Sequence, residues 1–266
     1  MKFRELFPEG KPLIVVVHLP PLPGSPLYSG NFDQVLKRAV SDARSAVKGG
    51  ADAVIVENFG DKPFREKPPR ATIAALAVVA RVVADEVEVP VGVNVLRNDG
   101  SGAVAVAHVA GAKFVRVNAY VEVVAADQGV LRPQAWDVLM ARRILGADVA
   151  VLADVMVKHG HSITFSSITD AARAAAFRGL ADAIIITGKE TGAPPHPSVV
   201  AEAKKAVGGV VPVLVGSGVT PSNLRDYSMA DGFIVGTYVH KLGDILKPID
   251  PDRVRRIAEA LKSLST

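Results

Sequence analysis

Short runs of consecutive apolar residues recur along the chain, and most are entered through the same small punctuation. Leu13-Ile-Val-Val-Val17 is the first run. Gly50-Ala51-Asp52 leads into Ala53-Val-Ile-Val-Glu57, and Val89-Pro-Val-Gly-Val-Asn94 follows. Gly111-Ala112-Lys113 precedes Phe114-Val-Arg-Val-Asn118, and Gly146-Ala147-Asp148 precedes Val149-Ala-Val-Leu-Ala-Asp154. Gly179-Leu-Ala181-Asp182 opens Ala183-Ile-Ile-Ile-Thr187, and the runs at Pro212–Gly216 and Asp231–Gly236 complete the series. Residues that are apolar in succession, rather than in alternation, form parallel strands covered on both faces. Each glycine reads as a helix stop before a tight turn into the strand. Segments with helical spacing lie between, at 33–48, 70–87, 133–145, 167–178, 197–207 and 251–264.

Strand onsets near 13, 53, 90, 114, 149, 183, 212 and 232 number eight, with helices between them. A (β/α)8 barrel takes about 250 residues in one domain, and this chain has 266. The pattern therefore predicts an α/β protein, a single TIM barrel over residues 1–266. A doubly wound open sheet shows the same alternation but wants a glycine-rich turn after its first strand. Here the first strand ends in His18-Leu-Pro-Pro-Leu-Pro-Gly24.

In a barrel the chemistry gathers at the C-terminal strand ends. Those ends carry His18, Glu57 and Asn58, Asn94, Asn118, then Asp154 with Lys158 and His159, and then Thr187, Gly188 and Lys189. Polar ends on apolar strands describe one mouth ringed by donors and acceptors, as a small-molecule site requires. Glu57 and Asp154 each terminate an apolar run, and desolvation there would raise a carboxylate toward proton exchange at neutral pH. Strand parity puts Asp154 and Lys158 on one side, where they could pair. Lys158 is otherwise a phosphate-facing loop residue or, less simply, a Schiff-base amine.

Two glycine turns in the last units, Gly216-Ser217-Gly218 and Gly236-Thr237, permit close backbone approach. Turns after the last two barrel strands frequently bind phosphate, helped by free amides at a following helix start. Arg97 could reach a phosphate or carboxylate, and Asn98 or Asp99 would cap the helix after it. The proline-rich loop at 20–30 could wall the pocket or form a subunit contact. The loop Asn58-Phe-Gly-Asp61-Lys62-Pro-Phe64 looks specialised too, and the stretch from Thr187 to His196 reads as a flap closing on the ligand.

Composition adds exclusions. With no cysteine there is neither a disulfide nor thiol catalysis, which suits a cytoplasmic protein. The N-terminal residues lack a signal-peptide run. The most apolar stretch, Thr72 to Ala84, is broken by Arg81 and too short to be inserted in a membrane. A net charge of +4 scattered along helices, with 5% aromatic residues, argues against nucleic-acid binding. The Ala-, Val- and Arg-rich make-up hints at a heat-tolerant source. No cofactor is required, although His18, Glu57, Asp154, His159 and His161 leave a divalent metal open. Closed symmetric assemblies are the common state of soluble proteins, so a homo-oligomer is expected.

Several long segments resemble the BtpA family: His18-Leu-Pro-Pro-Leu-Pro-Gly-Ser-Pro26, Glu57-Asn-Phe-Gly-Asp61, Gly92-Val-Asn-Val-Leu-Arg-Asn-Asp99 and Asp154-Val-Met-Val-Lys-His159. Thr187-Gly-Lys-Glu-Thr-Gly192, Val215-Gly-Ser-Gly218 and Ile234-Val-Gly-Thr237 extend the likeness from about residue 3 to the last helix. The family is named for photosystem I biogenesis. Its fold is similar to the ribulose-phosphate-binding barrels, which implies a phosphate-holding role for Gly216, Ser217, Gly218, Gly236 and Thr237. After the last strand, Tyr238-Val-His240-Lys241 departs from a shorter-side-chain lead into lysine.

Three functions are consistent with these residues. One is an enzyme acting on a small phosphorylated sugar or nucleotide-like metabolite by isomerase, lyase or glycosyl-transfer chemistry. There Asp154 and Glu57 would exchange protons, Lys158 or His159 would stabilise negative charge, and His18, Asn94, Asn118, Thr187 and Lys189 would complete the mouth. The others are a metal-assisted hydrolase on the same scaffold and a non-catalytic assembly or stability factor.

Overall fold

Each apolar run becomes a strand that is buried along its length. The computed structural model describes residues 2–8 and 10–264. In chain order the strands are β1 (Leu13–His18), β2 (Ala53–Glu57), β3 (Val91–Asn94), β4 (Phe114–Val117), β5 (Val124–Ala126) and β6 (Gly129–Leu131). They continue as β7 (Ala150–Val155), β8 (Gly160–Ser162), β9 (Ala183–Thr187), β10 (Val213–Gly216) and β11 (Gly232–Val235). Eight of them close into a parallel barrel in the order β1-β11-β10-β9-β7-β4-β3-β2. The α-helices are α1 (Phe3–Leu6), α2 (Phe32–Lys48), α3 (Arg70–Glu86), α4 (Gly100–Ala110), α5 (Ala135–Leu145), α6 (Ile168–Arg173), α7 (Pro197–Val207) and α8 (Pro251–Lys262). Among the described residues, no helix is long and apolar enough to cross a membrane.

Alternate strand residues face opposite ways, and the barrel uses both faces. Ile14, Ile55, Leu152, Ile185 and Ile234 fill the interior, while Val15, Val17, Val54 and Val56 pack outward beneath the helices. Burying each such side chain contributes roughly 1.5–3 kcal/mol relative to exposure. Phe114 fills the hollow left by Gly92, where any side chain would overlap its ring. From below, α1 plugs the barrel with Phe3, and Phe7 meets Phe114 edge-on at 6.4 Å.

The repeated Asp punctuation does more than turn the chain. The Asp52 amide donates to the Leu13 carbonyl (2.9 Å), and the Asp52 carboxylate accepts from the Leu13 amide (2.8 Å). Asp182 clasps Val151 in the same way, and Asp231 clasps Val213. Each clasp satisfies an amide in the first two residues of a neighbouring strand at the bottom of the barrel.

Two expectations change. The crossover between β10 and β11 holds only a 3-10 turn, Leu224–Tyr227, because the fifteen or so residues there must also carry the Gly218 turn and Pro221. Likewise, β11 runs into a short 3-10 turn, Thr237–Val239. Neither glycine turn opens a full helix, so the anticipated helix-start dipole is absent from both. The long connection after β4 folds into a β5–β6 hairpin that pairs with β8 over the barrel mouth. Asp99 does cap α4, its side chain accepting from the Gly102 amide at 3.0 Å.

Asp52→Ala would leave the buried Leu13 amide unpaired, a loss of about 1–3 kcal/mol. Chemical denaturation of the variant is expected to show that drop with little change in m-value.

Candidate active site

Register places the polar strand ends at one height. His18 lies opposite Glu57, Glu57 opposite Asn94, and Asn94 opposite Arg116. Because Phe114, Arg116 and Asn118 share a parity, Arg116 points into the barrel and not toward the helices. Its guanidinium meets Asp154 with Nε at 3.1 Å from Oδ1 and Nη2 at 3.0 Å from Oδ2. Asn118 adds a third donor to Asp154 at 2.7 Å. Both charged groups are buried, so each neutralises the other. Asp154 therefore pairs with Arg116, not with Lys158, and its oxygens accept from Arg116 and Asn118.

Glu57 is buried and accepts from Asn94 Nδ2 at 2.6 Å. Its other oxygen faces His18 Nε2 at 3.7 Å, too far for a hydrogen bond. What holds the His18 ring is a relay that begins far along the chain. His240 Nδ1 lies 2.6 Å from the Lys247 carbonyl, which can only accept, so His240 carries its proton there. His240 Nε2 is then the acceptor for His18 Nδ1 at 3.0 Å. This tautomer assignment leaves the His18 Nε2 lone pair directed toward Glu57. Burial first, then His240, Lys158, Arg116 and Lys62, hold His18 well below its ordinary range. The His18–Glu57 approach is consequently a neutral base beside a carboxylate, not an ion pair. Phe59, edge-on to His18 at 4.7 Å, and the Gly236 backbone confine the ring.

Lys158 reaches Ser217 Oγ at 3.3 Å. Burial, and after it Arg116, press the Lys158 ammonium down to about 8. Arg97 is buried and donates to the Lys158 carbonyl at 2.5 Å. Its remaining donors line a cavity of about 860 Å³. Around that cavity stand Glu57, Arg116, Asn118, Lys158, His159 and Thr237, together with Lys62, Phe59, Phe64, Asp127 and Gln128. Lys62, Arg97, Arg116 and Lys158 face Glu57, Asp127 and Asp244 across this lining, with Arg116 already neutralised by Asp154. Asn94 sits one layer back as the partner of Glu57.

The stretch Thr187–His196, expected from the sequence as a flap, packs against His159 and the Gly218 turn. Thr191 Oγ1 is 2.8 Å from His159 Nε2, and the His159 amide donates to the Lys189 carbonyl at 3.1 Å. His159 thus latches the flap. The Lys189 side chain is exposed and outside the cavity, and the Thr187 hydroxyl accepts from the Lys158 amide. Ala193 and Pro194 pack directly on Gly218. Beneath the flap, only about 20 Å³ remains between Ser217, Gly236, Thr237 and His18. The Ser217 amide is used by the Ile234 carbonyl at 3.4 Å, whereas the Gly218, Gly236 and Thr237 amides have no acceptor among the described residues. Gly216 lies lower and packs on Ile185.

Of the five residues considered for a metal, Asp154 is taken by Arg116 and His159 by the flap. His161 is exposed on β8. Among the described residues, no three His, Cys, Asp or Glu side chains converge as a metal site. Sequence reasoning gave no role to Arg116, His240, Phe59, Lys62, Phe64, Asp127 or Gln128. A charge inside an otherwise apolar strand was a usable signal for Arg116; nothing local marks His240 as the partner of His18.

The closed parallel barrel with this mouth defines a (β/α)8 protein with a charged, aromatic-walled cavity at the strand ends. Residues 9–263 match the model of the BtpA family, and the chain belongs to that family. An uncharacterised protein of Pyrococcus furiosus is 45% identical over 255 residues, covering 96% of both chains. The photosystem I biogenesis protein BtpA of Synechocystis is 41% identical over 263 residues, 98% of this chain and 91% of that one. Among solved structures, thiamine phosphate pyrophosphorylase from Pyrococcus furiosus superposes with a TM-score of 0.59 at 15% identity, over 96% of this chain and 97% of that one. That likeness concerns the fold alone.

Two measurements probe the geometry. If Lys158 titrates near 8, it is a cation below that pH and neutral above it. Affinity for inorganic sulfate, whose charge is constant over this range, should therefore fall as pH rises from 6.5 to 9.5, and Lys158→Met should flatten that dependence. Long-range 15N NMR should report His18 as the neutral Nδ1–H tautomer at neutral pH, with a mixture of tautomers in His240→Leu.

Proposed function

We propose that this chain is an enzyme that moves a proton on a small phosphorylated metabolite bound in the barrel mouth. The observation that carries the reading is the unprotonated His18 Nε2, a buried neutral base facing Glu57 in the small space that shares Glu57, Arg116, Lys158 and Thr237 with the main cavity. His18 Nε2 would take a proton from the substrate, becoming imidazolium with Glu57 3.7 Å away to balance it. Return of that proton to another substrate atom completes an isomerisation or elimination, so protons balance without an external reductant or oxidant. Lys158 and Arg97 would carry negative charge developing on the substrate, in a site where little water competes.

The phosphate belongs where the cavity meets the flap, at Lys158, Ser217 and Thr237. Displacing the Thr191–Pro194 segment would open the free Gly218, Gly236 and Thr237 amides to it. The phosphate-bearing substrate named for the structurally similar pyrophosphorylase supports this placement by analogy only. Asp154 is assigned to charge balance rather than proton transfer, because its oxygens are occupied by Arg116 and Asn118. The name of the Synechocystis relative supports a different reading, a non-catalytic assembly factor.

A thermal-shift panel of sugar phosphates separates these readings. A ligand at a hundredfold excess over its Kd stabilises by about 2.7 kcal/mol, a rise of several degrees that Arg97→Met and Lys158→Met should abolish. A panel with no stabilising phosphate ester would instead favour the assembly factor.

A further inference from the structure

The cavity is larger and less uniformly polar than a phosphosugar needs. Its volume of about 860 Å³ sits high in the range of roughly 300–1,000 Å³ typical of ligand pockets. Arg97, Arg116, Lys158 and Glu57 supply its charged lining. One side is a separate apolar wall of Phe59, Pro63, Phe64 and Leu96, from the loops that follow β2 and β3. The two rings stand 6.4 Å apart at 65°, with the Phe59 ring held against His18 and Lys62 Nζ 4.2 Å from its centroid. Aromatic rings interleaved with a cation suit a planar, electron-rich ring better than a flexible aliphatic chain.

A second observation concerns hydrogen bonding. Asn118 and Gln128 both line the cavity, and Asn118 Oδ1 and Gln128 Oε1 are buried side-chain oxygens without a hydrogen-bond partner. Asn118 is 2% exposed, so its oxygen has little recourse to bulk water. Buried acceptors of this kind are ordinarily satisfied. Gln128 is placed over the mouth by the β5–β6 hairpin, while Asn118 stands at the top of β4. A ligand's N–H, amino or hydroxyl groups would supply the missing donors, but only a ring-bearing ligand would also cover the apolar wall.

From this wall and these two carboxamides we infer that the substrate is a nucleoside monophosphate or a close heterocyclic phosphosugar. Its ring lies on Phe59 and Phe64, its polar edge faces Gln128 and Asn118, and its phosphate lies at Lys158. This rests on the phosphorylated-substrate reading above and adds the class of the remaining moiety.

Calorimetric titration with ribose 5-phosphate, AMP, UMP and adenosine tests it on the intact protein. Ring stacking and the two amide contacts should make AMP or UMP bind at least roughly tenfold tighter than ribose 5-phosphate. Phe64→Leu, which keeps an apolar side chain but removes the ring, should erase most of that difference and leave ribose 5-phosphate affinity unchanged. Gln128→Ala should weaken only the ring-bearing ligands. Equal affinities for ribose 5-phosphate and both nucleotides would overturn the heterocycle assignment while sparing the phosphate reading. Binding of adenosine but of neither nucleotide would do the reverse. Absence of binding by all four would overturn both.

Discussion

A guanidinium inside a barrel has to be neutralised, and the mouth of this molecule is arranged around the side chain that does so. Arg116 occupies an inward strand position with only 4% exposure, and Asp154 is fully buried beneath the same mouth. Removing one partner of such a pair leaves an uncompensated buried charge, at a cost of about 3–5 kcal/mol. The pair gives the cavity a fixed ionic floor that its neighbours must accommodate. Asn118 is tied to it through Asp154, and the positive field of Arg116 contributes to the lowered Lys158 and His18.

That floor divides labour among groups that look alike in the sequence. Asp154 and Glu57 both end apolar strands, yet one is surrounded by donors and the other faces an unprotonated ring nitrogen. Lys158 and Lys189 both follow strand ends, but Lys158 is drawn inward to Ser217 while Lys189 remains exposed. His18 and His159 diverge in the same way: the first is clamped by His240, Phe59 and Gly236, and the second fastens the flap. Chemistry follows from these surroundings, since desolvation and fixed partners decide which form of each group is stable.

The flap explains why a glycine turn can have free amides and still offer no open anion site. Gly218 has no side chain, and Ala193–Pro194 use that space to approach its backbone. Close approach is the same property that would let a phosphate in. Closed packing and ligand binding therefore compete for one surface, which couples access to the flap.

The main strand runs, their order of onset and the barrel they form were readable from the consecutive apolar runs, the glycine punctuation before them and the chain length, because such runs suit strands covered on both faces. The Asp punctuation was visible as a repeat, and its clasp is local to the bottom of adjacent strands. Position at the ends of those runs likewise carried His18, Glu57, Asn94 and Asn118 to the mouth. Pairing is another matter. Arg116 and Asp154 are 38 residues apart, and His18 and His240 are 222 apart. Periodicity tells which face a residue takes, whereas its partner is set by which strands become neighbours when the sheet closes. The short 3-10 crossover and the β5–β6 hairpin also escaped local reading, since each depends on the space left by neighbouring elements. The sequence by itself thus determined the barrel and the residues brought to its mouth. Tertiary closure decided which became ion pair, base, latch and wall, because those roles arise from contacts between distant strands and loops.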